Sequence, residues 1–361
     1  MKKINIFNLI VYIVIILSYL GTVLYKKSSL INAILGISII GIILFWLIKN
    51  KKKIKYSILF IIYISILLII LTQKFNLISI ALIGGIIILA EFKSSDITIK
   101  SYLTISLLCF SFVLILYFGV GLNKECDTSI WRVASNAIEY RYALGFNHAN
   151  QAMFKWLSIA MGFLCLSTKR NVFKVSFIIG LVTAIMYYLT VSRTSVVVIF
   201  FIIINLIFFK NTLSKKVSAM FRIILGLTPI ICTFISFLSI YLYKLDYINN
   251  LFSGRFVLYK YYLDISGLNL FGNNFIENNA MLDNSYLHML LSKGLIFSLA
   301  YMILIYAMIS RTKNITRGRA IILLAYFMAG LAETILFKFE LIILIIIIIY
   351  KNPEEGEKKC K

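Results

Sequence analysis

Two arginines could bind an anion within an otherwise apolar chain. Arg193 interrupts the stretch YYLTVSRTSVVVIFF at 187–201, and Arg255 lies in FSGRFVLYKYYLDI at 252–265. An arginine at the end of a membrane span often serves only as an anchor. Ser192, Thr194 and Ser195 beside Arg193 favour a second interpretation, the binding of a phosphate or an anionic lipid headgroup, because they supply further hydrogen-bond donors.

A pair of arginines suits a diphosphate. Each guanidinium can bind oxygens through a bidentate fork and stays charged at any relevant pH. If the diphosphate is a leaving group, the two charges would stabilise it as the bond breaks. For Arg255 the alternative is the solvated face of a short interfacial helix, with Tyr259, Tyr261 and Tyr262 as an aromatic belt at the membrane surface.

Groups that could accept a proton stand shortly before a late apolar run, in LDNSYLHMLLSKGL at 282–295. Asp283 and His288 are the candidate bases for a sugar hydroxyl. On a helix, Asn284 and His288 would share a face, and Asn284 and Tyr286 are candidate substrate contacts. The alternative is that Asp283, with Asn284 or Ser285, caps the helix that follows. Capping and catalysis are compatible.

Amide side chains crowd the start of an earlier apolar run, in LGFNHANQ at 144–151. Asn147, His148 and Asn150 could bind carbohydrate hydroxyls, although amides are also common in loops and helix caps. Arg141, just before this stretch, is a further candidate substrate contact.

Two carboxylates, Glu333 and Glu340, fall in or near the last apolar runs. A membrane carboxylate indicates function by default, and Lys338 is the structural partner that the sequence predicts for them. Glu333 is included among the candidate substrate-binding residues, as the weakest of the set.

The elements that must position these residues are membrane helices. The chain has 361 residues, of which 61% are hydrophobic, and its apolar runs are separated by short lysine-rich breaks. We therefore predict an all-α, polytopic membrane protein with about twelve spans and a large late extracellular loop. A soluble nucleotide-binding fold and a β-barrel are both excluded. The predicted spans are 6–25, 30–48, 56–72, 76–91, 102–121, 151–168, 175–191, 194–209, 222–243, 294–310, 319–335 and 339–350.

The net charge of +23 reports topology rather than nucleic-acid binding. With the N terminus inside, most of the lysines and arginines fall in the inner breaks, as the positive-inside rule expects. The run 175–209 would reach roughly 52 Å as one helix of about 1.5 Å per residue, against a hydrocarbon core of about 30 Å. It must therefore be two spans with a tight outer turn at 192–194.

The larger outer segments, 122–151 and 244–293, hold both histidines of the chain, so the chemistry is expected outside. We divide the chain into N-terminal transmembrane helices at 1–121, a catalytic membrane region at 122–336, and a final short span with a cytoplasmic tail at 337–361. The five cysteines form no disulfide or metal spacing, and no metal site is expected.

The order of these motifs resembles the O-antigen ligase/polymerase family. The motifs are SRTS in an outer turn, then GR, LFGNNF and DNSYL in a late outer loop before a span that begins with glycine. GFNHANQ resembles the Gram-positive, Wzy-type repeat-unit polymerases of capsule and exopolysaccharide pathways. The ligase branch carries a histidine before the asparagine of the late element, where this chain has Asp283.

The resemblance implies a metal-independent, inverting glycosyl transfer at the outer face of the cytoplasmic membrane, without a cofactor. Both substrates would be oligosaccharides linked to undecaprenyl diphosphate. Arg193 and Arg255 occupy the positions of two functionally important arginines of the family. Because Asp283 stands where the ligase branch has a histidine, the candidate base is Asp283 or His288. Candidate partners are the lipid bilayer, a flippase and a chain-length regulator; nucleic acid is not expected.

Three other functions stay open on sequence. A ligase of the same family would move finished polymer to an acceptor. A flippase or other transporter would show charges deep in several spans and repeated halves, whereas the early spans are nearly free of charge. A sensor or assembly protein without catalysis would tolerate the loss of either arginine.

Overall fold

The computed structural model describes residues 6–24, 99–132, 137–251, 254–273, 275–276, 282–336 and 338–350. The predicted spans at 30–48, 56–72 and 76–91 lie outside the described residues. Within the described part the chain is mostly helical. Its main helices are α1 Ile6–Val23, α2 Ile99–Val120, α3 Ala149–Cys165, α4 Val172–Thr190, α5 Arg193–Phe208, α6 Ala219–Ser239, α7 Arg255–Ser266, α8 Leu295–Arg311, α9 Arg317–Ala329 and α10 Phe339–Tyr350.

Shorter elements join these helices. Two strands, β1 Thr128–Arg132 and β2 Ala137–Arg141, lie between α2 and α3. Short helices occur at Lys124–Cys126, Lys210–Thr212, Ile240–Lys244 and Asp246–Leu251. A single turn at Ser285–His288 continues as a π-helical turn, Met289–Lys293, before α8.

The prediction of a membrane protein is supported by three segments that are long and apolar enough to cross a bilayer. They are Ile99–Val120, Val172–Thr190 and Ala219–Lys244. α2 and α4 leave large apolar side chains such as Leu108, Ile115, Phe177 and Tyr188 exposed. Exposed apolar faces are expected where lipid covers a protein. The protein is therefore mostly helical and associated with a membrane.

The predicted turn in the long apolar run is confirmed. α4 ends at Thr190 and α5 begins at Arg193. Val191 takes a left-handed conformation with φ 51°, which reverses the chain within two residues. Arg193 therefore lies at the end of the helical bundle and not in the middle of a span.

The mostly helical fold also includes an element that the sequence did not predict, a β-hairpin in the first outer segment. β1 and β2 are antiparallel, with Thr128 opposite Arg141. The sequences TSIWR and AIEYR are rich in β-branched and aromatic residues, which favour strands. The sequence placed these residues in an outer segment, and no strand was predicted there.

The base of the hairpin is tied to the bundle by side chains that bond backbone groups. Asp127 accepts hydrogen bonds from Ala143 N at 2.7 Å and from the Tyr117 hydroxyl at 2.7 Å. Asn123 Nδ2 donates to Val23 O at 2.7 Å and to Gly145 O at 2.8 Å. The segment before α3 is therefore held over the ends of α1 and α2.

α3 and α10 form the interior of the bundle. Most residues of α3 are buried, and so is the isoleucine-rich stretch 341–349 of α10. A helix that is apolar all round is expected to be covered on all sides. α10 packs against α1, α2 and α3, so the start of α10 is close to the functional candidates at the start of α3.

The late outer segment has a small core of its own. Phe256, Tyr259 and Tyr262 of α7 pack with Leu282, Leu287 and Leu291. The predicted helix at GRFVLYKYYLDI is confirmed as α7. Only a glycine fits at Gly294, which has φ +90° and whose added Cβ would lie 2.4 Å from Gly272 N. The LFGNNF stretch therefore packs directly against the start of α8.

Candidate functional site

The loop between α9 and α10 carries Glu333, and the DNSYL element holds this loop in place. Asn284 Nδ2 donates to Leu331 O at 2.9 Å, and Ser285 N donates to Gly330 O at 2.8 Å. The Ser285 hydroxyl donates to Glu333 O at 2.6 Å. Three hydrogen bonds from two adjacent residues therefore fix the backbone around Glu333.

Arg255 joins the same loop to the residue that precedes Asn284. Its Nη1 donates to Ala332 O at 3.0 Å, and its Nη2 lies 3.2 Å from Asp283 Oδ2. The two side chains are 30% and 46% exposed, so the pair lies at the border of the solvent. Arg255 is the first residue of α7, after Gly254 with φ +74°, which directs the helix toward this loop.

Glu333 is the most buried carboxylate of this group, at 5% exposure. Its carboxylate accepts a hydrogen bond from the Thr194 side chain and interacts electrostatically with Asp283, Arg255 and Arg141. The pKa of Glu333 is raised to about 7, chiefly by burial and to a lesser extent by repulsion from Asp283. Arg255, Thr194 and Arg141 act in the opposite direction. The carboxyl group is therefore poised to exchange a proton near neutral pH.

Arg141 connects three elements at this site. Its Nε donates to Thr190 O at 2.9 Å and its Nη2 to Asn150 Oδ1 at 2.5 Å. His148 caps α3, where its Nδ1 accepts a hydrogen bond from Asn150 N at 3.1 Å. Burial and the nearby charge of Arg141 lower the pKa of His148, with Asp283 acting against them. The guanidinium of Arg141 therefore lies within electrostatic reach of both His148 and Glu333.

Arg193 stands at the edge of the group. Its Nη2 is 3.8 Å from Glu139 Oε1 and its side chain is 58% exposed, so this ion pair is weak. The hydroxyls of Ser192 and Ser195 are buried and have no hydrogen-bond partner among the described residues. They lie in the first turn of α5, where backbone N–H groups carry partial positive charge.

We call Arg141, His148, Arg255, Asp283 and Glu333 the arginine–carboxylate cluster. It combines two guanidinium groups, which could bind an anion, with carboxylates that can hold or release a proton. The N-terminus of α5 borders it through the bond between Thr194 and Glu333. The structure thus brings together candidates that the sequence predicted in four separate parts of the chain: Arg141, His148, Arg255, Asp283 and Glu333.

Other predicted site residues have structural tasks. Asn284 is 2% exposed and caps the turn that follows, accepting hydrogen bonds from Tyr286 N and Leu287 N at 3.0 Å. Tyr286 is fully buried, and its hydroxyl donates to Phe327 O at 2.7 Å. Both side chains are therefore buried and bonded within the protein, and their contact with a substrate stays a prediction. The capping alternative is confirmed for Asn284.

The remaining candidates lie around the cluster. His288 lies one turn beyond Asn284, with its Nδ1 3.2 Å from Ser292 Oγ. The side chain of Asn147 is exposed, and its backbone N donates to Thr22 O at 2.9 Å. Asn150 is engaged by Arg141. Of these, Asn147 has the surface that a sugar would need.

The predicted partner of Glu340, Lys338, is corrected. Lys155 Nζ lies 3.0 Å from Glu340 Oε1, with side-chain exposures of 0% and 1%. Ser18 completes the arrangement by donating to Glu340 Oε2 at 2.6 Å and accepting from Lys155 Nζ at 3.0 Å. Lys338 instead lies 5.9 Å from the centre of the Phe154 ring. A lysine inside the predicted span 151–168 was the available signal, since charges buried in spans are normally paired.

Comparison with known proteins adds no relative: no protein-family model, no curated protein and no solved structure matches the chain.

Proposed function

We propose that the protein is a polysaccharide repeat-unit polymerase. It transfers a growing glycan from undecaprenyl diphosphate onto a lipid-linked repeat unit, at the outer face of the cytoplasmic membrane of a Gram-positive bacterium. The observation that carries the proposal is the arginine–carboxylate cluster. Its cations suit the binding of a diphosphate, and its carboxyl groups suit the acceptance of a proton from a hydroxyl. The resemblance of SRTS, GR, LFGNNF and DNSYL to the O-antigen ligase/polymerase family supports the same function.

The diphosphate of the donor is held by Arg255 from α7 and by Arg193 at the start of α5. Both guanidinium groups are partly exposed, at 30% and 58%, and so can reach a membrane lipid. The N-terminal turn of α5 adds partial positive charge. These charges stabilise the leaving group as the anomeric bond breaks.

The acceptor sugar is bound from the side of α3. Asn147 is exposed there, and His148 and Asn150 are partly exposed. The attacking hydroxyl then meets the carboxyl groups of the cluster, of which Asp283 is the sequence-predicted base and His288 the alternative. The reaction is a metal-independent glycosyl transfer in which the bond to the lipid diphosphate already activates the donor sugar.

A deletion strain tests the proposal. We would extract the lipid-linked saccharides that accumulate, separate those of the outer leaflet from those inside, and measure their size by mass spectrometry. Single repeat units trapped in the outer leaflet are expected. Finished polymer still on its lipid would instead indicate a ligase, and single repeats trapped inside would indicate a flippase; either result contradicts the proposal. A strain complemented with the wild-type gene is the control.

A further inference from the structure

A hydroxyl that attacks an anomeric carbon must lose its proton as the bond forms. We propose that Glu333, and not Asp283 or His288, is the general base that accepts this proton. The inference rests on the proposed function, since it assigns a role within that reaction. It departs from the expectation that the base lies in the DNSYL element.

The backbone around Glu333 is held by three residues of the site. Asn284, Ser285 and Arg255 bond the carbonyls of its loop at 2.6–3.0 Å. Tyr286 packs against the start of the loop, since a Cβ added at Gly330 would lie 3.0 Å from its ring. A general base has to be held within hydrogen-bond reach of its proton, and the DNSYL element supplies that constraint.

Asp283 is occupied by a different task. Its Oδ2 forms the ion pair with Arg255 at 3.2 Å, so protonation of Asp283 would weaken the hold on a guanidinium that binds the diphosphate. The Nδ1 atom of His148 accepts from Asn150 N, and the Nδ1 atom of His288 lies beside Ser292. Asp283 is therefore a positioning residue for Arg255, and Glu333 is left to exchange the proton.

The charges that face Glu333 come from every side of the site. They are Arg141 of β2, Asp283 before the Ser285 turn, Arg255 of α7 and Lys338 at the end of the same loop, with the neutral side chains of Tyr259 in α7 and Thr194 in α5. With its pKa raised to about 7, Glu333 is ionised in part at neutral pH and is a stronger base than an ordinary carboxylate.

The proton and electron balance of the step is complete without a co-reactant. The acceptor oxygen forms a bond to the anomeric carbon, and the bond from that carbon to the diphosphate oxygen breaks. The electron pair leaves on undecaprenyl diphosphate, whose added charge faces Arg255 and Arg193. The hydroxyl proton passes to Glu333 Oε and returns to water when the product leaves.

The test uses the purified full-length protein in liposomes, with lipid-linked repeat units extracted from the deletion strain. Initial rates of polymer formation are measured between pH 5.5 and 8.5 for the wild type, Glu333→Gln and Asp283→Asn. The wild-type rate should rise as the pH passes through about 7, because the base acts in its ionised form. Glu333→Gln should lower the rate by about 100-fold or more, remove the rise, and leave the KM for the repeat unit within about threefold.

Asp283→Asn is the comparison variant: it should be slower than the wild type through poorer diphosphate binding, seen as a higher KM, yet keep the rise near pH 7. A Glu333→Gln variant that keeps the wild-type rate and pH profile would overturn the inference but not the proposed function. A wild-type rate that does not change between pH 6 and 8 would do the same, even if the variant fails to fold. No polymer from the wild type at any pH would overturn the proposed function and the inference with it.

Discussion

At the scale of single residues, the two arginines differ in how closely the protein constrains them. Arg255 contacts Ala332 O and Asp283 at once through separate nitrogens, which requires the planar fork of a guanidinium. Among the described residues, Arg193 has a long contact with Glu139, and its side chain is more exposed. The first arginine is therefore built into the site, whereas the second offers mainly its charge.

Substitution by lysine should separate these roles. Arg255→Lys is expected to lower the rate of polymer formation by about 100-fold, because one ammonium group cannot hold both partners. Loss of one preorganised hydrogen-bond donor has an effect of this size. Arg193→Lys should cost about tenfold or less, since the positive charge remains. Alanine at either position should abolish polymer while the protein still inserts. Rates in liposomes check this, and equal effects of the two lysine variants would contradict the assignment.

At the scale of elements, the DNSYL turn acts as a support for the loop between α9 and α10. Asn284 uses its oxygen to cap the turn and its nitrogen to bond Leu331 O and Ser236 Oγ, at 2.9 and 3.0 Å. The two functions can be separated, because an aspartate keeps the capping oxygen and loses the donor.

Asn284→Asp should therefore keep the turn but lower polymer formation by about tenfold or more, since an acceptor would face Leu331 O and displace the loop of Glu333. Ser218→Ala is the matched control: Ser218 caps α6 through Phe221 N at 3.2 Å, and its loss should reduce stability by about 1 kcal/mol without changing the rate. Full activity of Asn284→Asp, measured at equal protein level, would show that the loop does not depend on this bond.

The buried pair of Lys155 and Glu340 joins α1, α3 and α10 through Ser18. Removing one partner leaves the other charge uncompensated, which costs about 3–5 kcal/mol, whereas replacing both by neutral residues is often neutral. Glu340→Gln should therefore lower the melting temperature in detergent by roughly 5–10 °C.

The double variant Lys155→Met with Glu340→Gln should recover most of this loss. Thermal unfolding of the single and double variants measures the effect. Additive losses would mean that the pair does not act as a unit.

At the scale of the whole molecule, the cluster lies at one end of the helical bundle, where α4 ends and α3, α5 and α10 begin. The positive-inside rule predicts that this end is at the outer face. The half-buried Cys126, next to the hairpin, lies at the same end, whereas Cys360 falls in the cytoplasmic tail that the sequence predicts within 337–361 and lies outside the described residues.

A variant that retains Cys126 alone should be labelled by a membrane-impermeant maleimide on intact cells. A variant that retains Cys360 alone should be labelled only after the membrane is permeabilised. The reverse pattern would place the cluster inside, where a polymerase could not use lipid-linked repeats of the outer leaflet.

The sequence by itself determined the helical membrane architecture, the turn before Arg193 and the helix that begins at Arg255, because apolar run length and turn residues act locally. It also singled out most residues of the cluster. It did not reveal the hairpin, whose pairing depends on partners across the turn, or the pairing of Lys155 with Glu340, which lie far apart in the chain.

Only the tertiary structure decided which polar residues are bonded within the protein and which lie together. Asn284 and Tyr286 share a motif with Asp283, yet their side chains are buried and bonded within the protein, and Glu333, the weakest candidate in the sequence, lies at the centre of the cluster. The physical reason is that burial and charge arise where four separate segments meet. No local pattern in one segment contains that information.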